Sequence, residues 1–279
     1  MNAPNSIDSP WLAKPSDAAA RREFFLCTAS HYSLKADQPT MEAPIFSLST
    51  KRDLQIWRWQ SADGTKALEV IPSVYGRATV RDKDLLIYAT SHLIAAINSD
   101  FTPHRTLRFT AYDFLSATHR GLRGDDYQAF RQCLDRLKGT TIKTNIATGG
   151  KIRTAAFGLV ESYVIIERST TDPRMCAVEI TLSEWLYEAI LSMEVLTLSP
   201  DYFLLRKPLE RRLYEIARKH VGMQSIWTVG LDTLAMKCGS HTARLRKFRE
   251  AIRQTCREDR LPEYRIELLA SDKVLFSRR

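Results

Sequence analysis

Histidines grouped closely enough to hold a metal are missing from this chain. The six histidines, His31, His92, His104, His119, His220 and His241, stand apart along 279 residues. A strand-cleaving enzyme needs closely spaced histidines around a metal beside a nucleophilic tyrosine, so that reading is disfavoured. The five cysteines, Cys27, Cys133, Cys176, Cys238 and Cys256, are odd in number, scattered and mostly set in apolar patterns. That argues against a disulfide framework and a zinc site and leaves reduced core residues. Long apolar runs are also lacking: nothing approaches the ~18 residues of a membrane span. The opening residues have neither the basic nor the apolar part of a secretory signal, so a cytoplasmic protein without a membrane partner is expected.

Other chemistry is absent by spacing. Gly149-Gly150-Lys151-Ile152 superficially looks like a phosphate loop, yet Asn145 stands where the first glycine belongs and Ile152 lacks the metal-binding hydroxyl. Ser, His and Asp residues are too dispersed for a hydrolase triad. Asp82 and Asp84 are close enough for a metal pair, but capping of the following helix is the stronger expectation. Neither catalytic residues nor a cofactor is expected.

What the chain does have is localised positive charge. Residues 201–279 hold 18 Lys or Arg against 10 Asp or Glu, nearly the whole of the formal net charge of +9, while the first 200 residues are close to neutral. Within that stretch, from Ser240 to Arg257, the residues Leu245, Phe248, Ile252 and Cys256 recur at helical spacing with the basic residues between them. One stripe of such a helix buries and the rest faces an acidic partner. A short basic helix after another helix and a Cys238-Gly239 break is the footprint of a DNA reader; the plain alternative is a solvated basic face.

The order of elements bears on that choice. Residues 1–17, with Pro4, Pro10 and Pro15, read as a mobile tail, and a helix is expected from Ala18 to Ala29. Segments around Asp63-Gly64 predict a hairpin. Asp82 to Asn98 predicts a long, largely buried helix, followed by a strand near Leu107, a helix capped by Thr110, and a helix from Asp125 to Lys138. Thr141 to Ile146 and Arg153 to Glu167 predict a second hairpin. After a linker near residues 169–175 the order recurs: a strand from Val178, a helix from Ser183, an amphipathic helix from Pro208 to Val221, a strand at Trp227, a helix from Leu231, the basic helix, and a hairpin across Ser271-Asp272. The fold class expected is therefore α+β, with two tandem winged-helix (winged helix-turn-helix) domains: residues 18–168 with an extra hairpin, and the basic domain 176–279.

Three composite stretches, Pro72 to Tyr88, Leu204 to His220, and Leu245 to Ile252 followed by Leu261-Pro-Glu-Tyr264, resemble those of the RepA-like replication initiator protein A family of plasmids, over a span from Arg21 to the C-terminus. The resemblance implies an initiator that binds repeated sites (iterons) in double-stranded plasmid origin DNA, melts adjacent AT-rich DNA with help from a host initiator, and recruits the host replicative helicase.

The residues themselves nominate DNA contacts. Opposite the apolar stripe of the basic helix lie Ser240, Ala243, Arg246, Lys247, Glu250 and Gln254. Arg246 and Lys247 suit guanine and Glu250 suits cytosine, whereas Ala243 lets the backbone approach the groove. Arg244 and Arg253, on the flanks, suit phosphates, and Arg249, near the buried stripe, suits an internal salt bridge. In the first unit, Phe130, Leu134 and Leu137 define the buried stripe and leave Gln128, Arg131, Gln132, Asp135 and Arg136 opposite. Gln128 and Gln132 suit adenines, with Arg123 and the hairpin residues Lys143, Lys151 and Arg153 on phosphate. Because Asp125, Asp126 and Asp135 balance the charge of that helix, a homodimer interface is the alternative there. For the whole protein, a winged-helix transcriptional regulator and a strand-cleaving enzyme are the competing classes.

Overall fold

The computed structural model of the protein describes residues 24–27, 32–61, 63–151, 154–167, 175–240 and 245–279. It is a mixed α+β protein, as expected. The first described segment departs from the sequence reading. Instead of lying in a helix, β1 (Phe25–Leu26) is extended and pairs in parallel with β5 (Thr106–Phe109), setting Phe25 beside Leu107. An open sheet edge next to an apolar core outcompetes local helix propensity for so short an apolar run. The remainder of the expected helix and the expected mobile tail lie outside the described residues, apart from Phe24 and Cys27.

Next come β2 (Lys35–Asp37), the short α1 (Gln38–Glu42), and the expected hairpin of β3 (Trp57–Gln60) with β4 (Ala67–Ile71). The helix α2 (Lys83–Ile97) is buried without interruption from Lys83 to Ile94. A helix buried on every side needs partners on every side, and two cores enclose this one. Leu85, Leu86, Tyr88, Ala89, Leu93 and Ile94 belong to the core of the first half, and Ile87 packs into the core of the second. Its acidic start does not cap it in the expected way: the Asp82 carboxylate accepts hydrogen bonds from Thr79 and Arg136 instead of from the helix's own first amides.

After β5 come α3 (Ala111–Ala117), whose cap Thr110 accepts the Asp113 amide at 3.0 Å, and α4 (Gly124–Gly139). Here the expected second hairpin proves to be two separate structures. β6 (Thr141–Thr144) and β7 (Ala155–Gly158) pair with each other and extend the first hairpin into a sheet of order β3-β4-β6-β7. The chain then crosses to the other sheet, where β8 (Val160–Glu167) pairs antiparallel with β9 (Met175–Leu182) in the order β1-β5-β9-β8. The strand read at Val178, placed by sequence at the start of the second half, is thus the central partner of β5 and β8.

The second half follows its expected order closely. α5 (Glu184–Leu191) is capped by Ser183 and leads to β10 (Val195–Thr197), which pairs with β2. A 3-10 turn (Pro200–Leu204) precedes α6 (Pro208–Val221), β11 (Ile226–Gly230), α7 (Leu231–Cys238), α8 (Leu245–Glu258), β12 (Tyr264–Leu268) and β13 (Lys273–Arg278). Its sheet order, β11-β13-β12, matches β5-β9-β8: the first strand pairs with the third and the third with the second. The second half runs helix, strand, helix, helix, strand, strand (α6 to β13), and the first runs the same way from α2 to β9 except that β6 and β7 intervene between α4 and β8. No described helix is long and apolar enough to cross a membrane.

Candidate nucleic-acid interface

The break before α8 is made by Gly239, which ends α7 with φ of 69° and whose added Cβ would sit 2.7 Å from Pro44. Only glycine meets both demands. On α8 itself Phe248 and Ile252 are buried, with Leu245 and Cys256 packed behind them, so the apolar stripe is the expected one, joined by Thr255. Arg246, Lys247, Glu250, Arg253, Gln254 and Arg257 are exposed. Arg246 and Lys247 form no ion pair among the described residues, whereas Glu250 reaches Arg253 at 3.5 Å and Arg257 at 3.2 Å. Exposed pairs of that kind are worth about 0–1 kcal/mol and yield readily to a phosphate or a base. Gln254 donates to Glu258 at 2.8 Å. Arg249 is engaged in a two-pronged pair with Asp272, in the turn between β12 and β13, as its place near the stripe predicted. That pair ties helix to hairpin and raises the arginine's pKa. Ser240 is half-buried. Ala243 and Arg244 lie outside the described residues.

On α4 the stripe is Phe130, Cys133, Leu134 and Leu137. Gln128 and Gln132 are exposed, Arg123 is exposed at the helix start, and Asp126 turns back to accept the Arg123 amide at 3.0 Å. Arg131 pairs with Glu167, the last residue of β8, at 2.5 Å. The lower half of the face is committed to the protein: Asp135 accepts the Tyr163 hydroxyl at 2.6 Å and Arg136 holds Asp82 through two hydrogen bonds of 2.7 and 2.8 Å. Lys143 and Lys151 do not flank the hairpin that follows α4 in the repeated order. Lys143 is on β6, 3.4 Å from Glu69, and Lys151 bridges to Thr148 in the β6–β7 connection. Arg153 lies outside the described residues.

Three cations escaped the sequence reading. Lys51, Arg52 and Arg81 are exposed, form no ion pair among the described residues, and line a cleft of about 780 Å³ with Gln128, Arg131 and Gln132. Partial burial and the like charges of Arg120 and Arg211 lower the pKa of Arg81. The Lys51-Arg52 doublet was visible in sequence; its position beside α4, about 75 residues downstream, was not.

The family model for replication initiator protein A matches residues 35–266. The chain belongs to that family. Among relatives of this initiator-family protein, a putative replication protein of Wigglesworthia glossinidia brevipalpis is 36% identical over 263 residues, covering 92% of this chain and 94% of the relative. The crystal structure of SeMet derivatives of domain 2 and domain 3 of RctB resembles it with a TM-score of 0.62 at 14% identity, covering 86% of this chain and 95% of that one. A second structure of RctB domains 2-3 gives 0.58 at 15% identity, over 86% and 97%. At such identities the likeness is one of fold.

In this initiator-family protein a buried ionic chain runs from α4 through α2 and α6 to the end of α7. Asp82 holds Arg136 of α4; Asp84 holds Arg120, at 3.1 Å, and Arg211 of α6. One residue back, Lys83 reaches Glu215 of α6 at 2.8 Å, and Glu215 also accepts the Tyr202 hydroxyl at 2.7 Å and pairs with Arg212 at 3.3 Å. Arg212 then donates to the Lys237 carbonyl at 2.7 Å, in the last turn of α7 before α8. Burial pushes Glu215 up, but Lys83, Arg212 and the tyrosine hydrogen bond outweigh it and hold the carboxyl below its usual value. Charges removed from water are tolerated only when paired, and here the pairs run without a break from α4 through α2 and α6 to the end of α7.

Proposed function

We propose that the protein initiates plasmid replication by binding repeated double-stranded origin sites through two winged-helix units, without cutting DNA. The observation that carries this reading is α8: an apolar stripe packed inward and an outward face on which Arg246 and Lys247 are exposed and form no ion pair among the described residues. The repeated sheet order supports a second unit of the same kind, with α4 as its reading helix and β8–β9 as its wing; on that division the first unit runs to Leu182. Base edges fall to Ser240, Ala243, Arg246, Lys247, Glu250 and Gln254 and to Gln128, Arg131 and Gln132. Phosphates fall to Arg244, Arg253 and Arg123, with Lys143, Lys151 and Arg153 as outlying contacts. Membership of the family supports melting of AT-rich DNA and engagement of a host initiator and helicase. The same reading places its action in the cytoplasm.

Footprinting on the origin tests the reading. Directly repeated protected sites beside AT-rich DNA are expected; a single inverted repeat over a promoter would make the protein a transcriptional regulator, and metal-dependent nicking would make it an enzyme.

A further inference from the structure

The turn at residues 72–77 is built to stay rigid while displaying apolar side chains. Arg77 is fully buried, its guanidinium 3.1 Å from Asp53 and 5.7 Å above the Trp57 ring. Asp53 in turn accepts the Ser47 hydroxyl at 2.6 Å. The Gly76 amide donates to the Ser73 carbonyl at 2.9 Å and the Tyr75 amide to the Ser73 hydroxyl at 3.1 Å. At Gly76 φ is 94°, and an added Cβ would lie 2.9 Å from Arg52, so backbone and cation are pressed together. Out of this frame stand Val74, 75% exposed, and Tyr75, 55% exposed. Tyr75 lines the cleft that also holds Lys51, Arg52 and Arg81.

An aromatic ring held at the mouth of a cationic cleft is the chemistry that grips unpaired nucleotides: the ring stacks on a base face, which a duplex hides, and the cations follow the phosphates. The size of the cleft points the same way. At about 780 Å³ it falls in the range of roughly 300–1,000 Å³ that small ligands occupy, room for one or two nucleotides. Its wall at Asp135 and Arg136 is tied to Tyr163 and Asp82, so the lower part of α4 is not free to enter a groove.

We propose that this cleft binds single-stranded DNA, with Tyr75 stacking on a base and Lys51, Arg52 and Arg81 on its phosphates. The inference rests on the DNA-initiator reading for its biological setting, a strand released by melting, but not for its chemistry.

The test uses the full chain, a fluorescein-labelled 12-mer of oligo(dT), and a duplex carrying one origin repeat. The intact protein binds the 12-mer, and Tyr75→Ala weakens that binding roughly 10-fold, on the scale of one lost base stack. Tyr75→Phe restores it, and the duplex is held as before. The double substitution Lys51→Gln with Arg52→Gln weakens the 12-mer and flattens its salt dependence. No binding of oligo(dT), an unchanged Tyr75→Ala variant, or equal losses on single strand and duplex would each overturn the proposal; the first would leave the cleft to an acidic protein partner. If the duplex is not bound while oligo(dT) is, the initiator reading fails and this one stands.

Discussion

Replacing Asp84 by Asn keeps the shape of the side chain and removes its charge, which isolates what the buried ionic chain contributes. Asp84 is fully enclosed and faces two arginines, Arg211, itself 1% exposed, and Arg120. Without the carboxylate both guanidiniums stay buried beside a neutral amide, and breaking a buried pair in this way costs about 3–5 kcal/mol. With a urea m-value of about 3 kcal/mol/M, the unfolding midpoint should fall by more than ~1 M. Circular dichroism and tryptophan fluorescence, recorded on the same urea series, measure it. Adding Arg211→Met to Asp84→Asn should recover part of the loss, because it removes one of the charges left behind. Since Asp84 ties the approach to α4 to α6, the variant should also bind a whole origin repeat more weakly while keeping its affinity for half of one. A stability loss under ~1 kcal/mol, the value of an exposed pair, would show that the buried pairs do not brace α2 against α6.

Binding to the origin repeat should weaken steeply with salt, with a slope of log K against log salt near −5 for roughly six phosphate contacts; a flat response between low and physiological salt would sink the DNA assignment. Arg246→Ala and Lys247→Ala should each cost roughly 1–3 kcal/mol on the cognate site and relax the preference at particular bases, whereas Arg253→Ala should weaken cognate and random DNA alike; selection from a randomised site library reads the difference. Burial lowers His92 and His220 to about 4, so both are neutral in the folded protein while the unfolded chain takes up protons below its ordinary value near 6.5. Their stabilisation is complete above that pH and is lost as pH falls towards 4, at up to ~1.4 kcal/mol per unit for each; urea midpoints that stay constant from pH 6.5 to 5 would contradict this.

The second half of the fold was readable because each of its elements follows the last with a local signal: Pro208 starting α6, Gly239 ending α7, and an apolar stripe along α8. The first half defeated the same reading at two places where tertiary pairing decides. Nothing near Gly158 announces that β7 and β8 belong to different sheets, since both are simply extended, and partner choice for a strand is set by what lies opposite it. β1 likewise takes its conformation from β5, some 80 residues away. The cations of α8 were legible because they share one helix. Lys51, Arg52 and Arg81 were not, because only the folded chain brings them to α4. Asp82 and Asp84 looked like caps because caps are local; their arginine partners come from α4, the segment before it, and α6.

The all-round burial of α2 has a consequence for how the protein is made. Ala36, Met41 and Ile87 complete the second core although they are synthesised with the first. At ~5–20 residues per second, α6 emerges roughly 6–25 seconds after α2. Through that interval the nascent chain exposes the Ile87 side of the helix, with Lys83 and Asp84 still lacking their α6 partners. Substitutions on α6 that slow its docking should therefore first show themselves as aggregation or chaperone dependence during expression, before any defect in the finished protein is measured.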